Sequence, residues 1–145
     1  MSSKPILIFQ PDDFSCVPTC LLMVLNSFDC NPPMYELREL CKCDEEGTKP
    51  SNAIFAVKHY GFEKSFIAYL DSIEELTEEL SNGLYPIVYL RFSAQNSHAV
   101  VVVNISSDFV SVLDPEIGER DFEIGEFTEI WFDARGTTIL IDPIN

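Results

Sequence analysis

Apolar residues in the first half of this chain recur every three or four positions, whereas in the second half they run together in short β-branched blocks. The first pattern belongs to helices with one buried stripe and the second to strands. A short apolar run at residues 5–9, ended by Pro11 and two aspartates, predicts a strand or an extended entry segment. Val17, Cys20, Leu21, Val24, Leu25 and Phe28 then mark a mostly buried helix. Ser15 is placed to cap that helix, and Pro18 falls in its first turn, where a backbone N–H has no intrahelical acceptor to lose. Asn31, Pro32 and Pro33 break the chain, after which Met34, Leu37, Leu40 and Cys41 predict a second, short helix. A third opens at Pro50 or Ser51, carries Ala53, Ile54, Val57 and Tyr60 on one face, and stops at Gly61. Residues 62–69 alternate weakly, as a strand does. Ser72 caps a fourth helix whose Ile73, Leu76 and Leu80 form a narrow stripe among glutamates, with Gly83 as its stop. Residues 86–92, 98–105, 109–113 and 137–141 are the β-branched or aromatic blocks, separated by polar turns. Together they predict an α+β fold in which the N-terminal helices pack on one side of a C-terminal antiparallel sheet. No repeat, low-complexity stretch or linker divides residues 1–145, so one domain is expected.

Composition narrows the partners more than the fold. With 46% hydrophobic and 12% aromatic residues the 145-residue chain can build a proper core. Its net charge of -15, from 24 acidic against 9 basic residues, argues against nucleic acid and anionic membrane surfaces and favours a basic peptide. The opening residues MSSKPILIFQPDD are too short in apolar length for a secretory signal, and no run approaches the ~20 residues of a membrane-spanning helix. The expectation is a soluble, cytoplasmic protein with no membrane insertion. Five cysteines, an odd number, then read as reduced thiols. Cys30, Cys41 and Cys43 lack the second pair or nearby histidine that a zinc cluster needs, so neither a metal nor an organic cofactor is expected. Cys20, one turn beyond Cys16, reads as a small core residue.

Cys16 is the cysteine that invites chemistry. It stands at the start of a predicted helix, where the dipole favours a thiolate, and a thiol becomes a good nucleophile when an imidazole stands beside it. Of the two histidines, His59 lies near a helix end and reads as a surface residue, while His98 opens the apolar block AVVVV at the lip of a buried strand. If residues 98–105 and 109–113 pair as a hairpin, Asp114 arrives at the same edge as His98 and can orient its ring. Gln10 lies six positions before Cys16, and its amide can donate to a developing oxyanion. Cys16, His98 and Asp114 each have a plainer reading: a core cysteine, a histidine capping a loop, and an aspartate bonding its own backbone in the turn Asp114-Pro115.

Gln10, Cys16 with its apolar helix, GTKPSNAIFAVKHYGF, His98 with its valines, LDPEIG and EFTEIWF together resemble the papain-like bacteriocin-processing peptidases over nearly the whole chain. Those enzymes cut leader peptides after a double glycine, often as a domain fused to an exporter. The resemblance implies a papain-like cysteine peptidase fold. It implies Cys16 as nucleophile, His98 as general base, Asp114 as orienting acid and Gln10 in the oxyanion hole, with hydrolysis through a Cys-His-Asp triad. It also implies a hydrophobic surface that receives an amphipathic leader helix. The chain carries neither apolar spans nor a phosphate-binding loop, so it is expected to act as a free domain, or beside a separate exporter. In one respect it departs from the family: Val17 stands where glycine usually follows the nucleophile. Its side chain is expected to narrow the approach to Cys16, which leaves a slow or non-hydrolytic peptide-binding relative as an alternative. A further alternative is an effector or toxin, with an immunity partner, using the same residues for amidase or other acyl chemistry.

Overall fold

The valines of residues 100–103 are apolar at every position because both faces of their strand are covered. In the computed structural model, which describes residues 3–143, six strands form one antiparallel sheet: β1 (Phe66–Tyr69), β2 (Ile87–Ser93), β3 (Asn96–Ile105), β4 (Phe109–Asp114), β5 (Gly118–Glu123) and β6 (Thr137–Leu140). Their spatial order is β1-β6-β2-β3-β4-β5, which puts the valine strand near the middle. On one face Ala99, Val101 and Ile87 pack with Leu21 and Val24 of α1 (Cys16–Ser27), Leu37 of α2 (Met34–Leu40) and Val57 of α3 (Pro50–His59). On the other, Val88, Val100 and Val112 pack with Leu76 of α4 (Ile73–Ser81) and with Phe127 and Trp131 of α5 (Ile124–Asp133).

The N-terminal helices therefore lie on the sheet as expected, but the helices are not confined to one side. Alternate residues of a strand point to opposite faces, so Ile87 and Val88, or Val100 and Val101, cannot share a single core. Burying a side chain of this size contributes about 1.5–3 kcal/mol, enough to require cover on both faces. A strand apolar at every position belongs to a sheet covered on both sides.

The first four helices and the five predicted strand segments lie where the patterns placed them, with end shifts of a few residues. The entry segment runs as an extended strap without regular pairing, tied by Ser3 N–H to the Ser27 carbonyl at 3.0 Å and by Gln10 N–H to the Pro115 carbonyl at 2.8 Å. Gly61 and Gly83 follow the ends of α3 and α4 with φ of +98° and +83°, the left-handed stop that glycine adopts freely. Ser72 caps α4 by accepting from Glu75 N–H, while the Glu75 carboxylate accepts from Asp71 N–H.

Ser15 precedes α1 without capping it. Its hydroxyl instead donates to Asp12 Oδ1 at 2.7 Å. Two elements, β5 and α5, have no counterpart among the expected ones.

Candidate active site

At one end of the sheet the β2–β3 and β4–β5 turns stand side by side, and the candidate residues gather between them and the start of α1. The β3–β4 register pairs Val102 with Val112 and Val101 with Leu113, which carries Asp114 to within diagonal reach of His98. His98 Nε2–H donates to Asp114 Oδ1 at 2.6 Å. Asp114 is fully buried, and its carboxylate also accepts from Glu116 N–H at 2.9 Å, Ile117 N–H at 3.3 Å and Arg120 Nη1 at 3.2 Å. Burial alone would raise the Asp114 carboxyl, but its hydrogen bond to His98, the backbone donors and Arg120 hold it below its ordinary value. The turn reading of Asp114 and its pairing with His98 are thus both present in one carboxylate.

With Nε2 committed to Asp114, the other ring nitrogen of His98 is the one left for Cys16. Burial works against the charged imidazole, yet its hydrogen bonds to Asp114 and Cys16 and the charges of both outweigh it and raise His98 to about 9. Cys16 is the first residue of α1 and half-buried. His59 is exposed in the last turn of α3, against the Tyr60 ring, and takes no part. Cys20 is fully buried with its thiol 3.5 Å from the Ala99 carbonyl, and burial pushes that thiol well above its usual range.

Gln10 is held by its backbone and by one of its two amide hydrogens. The Gln10–Pro115 bond fastens it beside the Asp114 turn, and its Nε2 donates to the Asp12 carbonyl at 2.6 Å. One Nε2 hydrogen remains, and the buried Oε1 has no protein partner among the described residues. Val17 does not line the approach to Cys16. It is 2% exposed and belongs to the core beneath α1, so the expected narrowing is not found.

Four further residues shape the site. Asp12 accepts from Ser15 Oγ and Phe14 N–H and pairs with Arg38 at 3.0 Å, which folds the loop before Cys16; the Ser15 bond chiefly keeps its carboxyl low. Cys43 donates to the Phe14 carbonyl at 3.3 Å, and Tyr89 Oη donates to the Thr48 carbonyl at 2.8 Å, so the loop after α2 is pinned near Cys16. Burial, and then the neighbouring Cys16, raise the Tyr89 phenol well above its usual range. Cys41 is buried, and its thiol is pushed up to about 12 by burial and by Cys43. Among the described residues no three histidine, cysteine, aspartate or glutamate side chains are placed to hold a metal. Arg120 lies 4.2 Å above the Phe122 ring while holding Asp114. Its signal was an arginine at an inward position of an edge strand, legible only once β5 is recognised.

The helix layer supplies the thiol and the sheet supplies the imidazole and its carboxylate, a division of labour that puts this chain in the class of papain-like cysteine peptidases. Within that class it belongs to the Peptidase C39 family, whose model matches residues 4–144. It is 26% identical over 137 residues to the lactococcin-G-processing and transport ATP-binding protein LagD of Lactococcus lactis subsp. lactis, covering 94% of this chain. The chain spans 18% of the length of that curated relative. Several crystal structures share its fold, transporter peptidase domains among them. A double glycine motif protease from an AMS/PCAT transporter, solved with a leader peptide, is 22% identical with a TM-score of 0.80, over 99% of this chain and 94% of that one. The peptidase domain of Streptococcus ComA, a bi-functional ABC transporter of a quorum sensing pathway, is 22% identical with a TM-score of 0.77, over 94% and 97%. No helix among the described residues is long and apolar enough to cross a membrane.

Proposed function

We propose that the chain hydrolyses a peptide bond in a leader or precursor peptide, after a small-residue site of the double-glycine type, with Cys16, His98 and Asp114 as its triad. The observation that carries this reading is the His98–Asp114 bond of 2.6 Å, which turns the free ring nitrogen toward a thiol at a helix N-terminus. His98 takes the Cys16 proton and the thiolate attacks the scissile carbonyl. The Cys16 backbone N–H and the free Nε2–H of Gln10 stabilise the oxyanion. His98 then returns the proton to the leaving amine, and water attacks the thioester to release the leader segment. The hydrogen bonds and charges of Asp114 and Cys16 that raise His98 to about 9 favour the imidazolium that the proton transfer from Cys16 creates. In this reading the chain acts as a single domain in the cytoplasm, and its net charge of -15 steers a basic peptide toward the site. The double function in LagD's name supports a transporter as partner.

The non-hydrolytic alternative rested on Val17, and its burial in the core removes that motive. The test is cleavage of a double-glycine leader peptide, followed by mass spectrometry, in wild type and Cys16→Ala. A single cut after the glycines that the variant lacks supports the proposal; binding without product, with Cys16 confirmed reduced, overturns it.

A further inference from the structure

Beside His98 lies a cavity of about 250 Å³, bounded by Phe92 and Asn96 of one hairpin, Glu116 and Ile117 of the other, and floored by Asp114 and Arg120. We propose that it is the subsite for the first residue of the released peptide, and that it takes an apolar side chain. This rests on the peptidase reading above. The acyl half of a cleaved peptide stays on Cys16, while the leaving amine collects its proton from His98. The chain beyond the cut therefore runs past the imidazole, away from the thiol. The cavity lies on that side, since its lining takes in His98 and its partner Asp114 but not Cys16.

Its chemistry selects the occupant. Phe92 and Ile117, 41% and 61% exposed, give it apolar walls that no residue of the chain covers fully. Arg120 already pairs with Asp114 and stacks on the Phe122 ring, and Glu116 in the same lining repels an incoming carboxylate. The volume suits one side chain of leucine or phenylalanine size. An apolar group there would also displace water from the His98–Asp114 bond, which strengthens in a drier setting.

The experiment compares kcat/KM for three peptides identical except for leucine, glycine or aspartate at the first position after the cut. Wild type is expected to favour leucine over glycine about tenfold, as filling an apolar pocket does, with aspartate lowest. Ile117→Ser and Phe92→Ser, tested singly, should each pull the leucine-to-glycine ratio toward one. Phe55→Ala, at an exposed aromatic on α3, should leave the ratio unchanged. Equal rates in wild type, or a ratio untouched by both serine variants, would overturn the subsite while the peptidase reading stands. Failure to cleave any of the three peptides would overturn both.

Discussion

Asp114 and Gln10 flank the Cys16–His98 pair and are held in contrasting ways. Asp114 sits at the end of a strand, fully buried, with four donors converging on its carboxylate from His98, Glu116, Ile117 and Arg120. Gln10 sits on a loop, half-buried, with one amide hydrogen turned to its own loop and a carbonyl oxygen left without a protein partner among the described residues. In the proposed mechanism the base end is preorganised by the sheet, because paired strands fix both partners before substrate arrives. The oxyanion end of that proposed mechanism is set by the Gln10 backbone and one amide hydrogen bond, so its amide is freer to turn when charge develops.

That difference makes the two ends separable. Asp114→Asn should cost the most, lowering kcat by ~1,000-fold through the weakened imidazolium and lowering Tm as well, since a buried carboxylate that collects four donors is replaced. Gln10→Ala should lower kcat by ~100-fold with Tm nearly unchanged, because its amide makes one local bond. Single-turnover cleavage beside calorimetric melting measures both. Equal losses of stability in the two variants would break the contrast.

A smaller effect is expected at Val17. Val17→Gly removes a buried side chain and loosens the first turn of α1, so it should destabilise the fold by roughly 2–3 kcal/mol without raising turnover. Denaturant unfolding and a rate assay decide it, and faster cleavage would return Val17 to the cleft.

The base end also has a pH signature. His98 stands at about 9 when folded against 6.5 as a free side chain, so the folded state holds its proton more tightly. The resulting stability is fully present below about pH 6.5 and is lost as pH rises through about 9. Melting of wild type and His98→Gln from pH 6 to 10 should show the wild-type advantage shrinking across that window. A constant difference would mean that the imidazole is not held by its partners.

Most of this arrangement is legible in the chain because it is local. Helical spacing from Val17 to Phe28, glycines at Gly61 and Gly83 and the β-branched blocks each announce their element without help from distant residues. The His98–Asp114 edge follows from one hairpin. β5 escapes because GERDFE is an edge strand with only Gly118 and Phe122 buried, so its polar residues look like a turn. For α5 the signal was present: Ile124, Phe127 and Trp131 share a helical face, yet Gly125 and the β-branched Ile130 weaken the local preference. Asp12 was hidden for another reason. A serine before a helix reads as its cap, and only the folded loop shows its hydroxyl given to Asp12 instead.

The central claim is that Cys16 is activated by His98, and alkylation reads this without any substrate. Iodoacetamide at pH 6, with each of the five cysteines followed by mass spectrometry, should modify Cys16 first, ahead of Cys30 and Cys43, which are also half-buried. His98→Ala should slow Cys16 while His59→Ala leaves it unchanged. Labelling of Cys16 no faster than Cys30 or Cys43, or equal effects of the two histidine variants, would contradict the account.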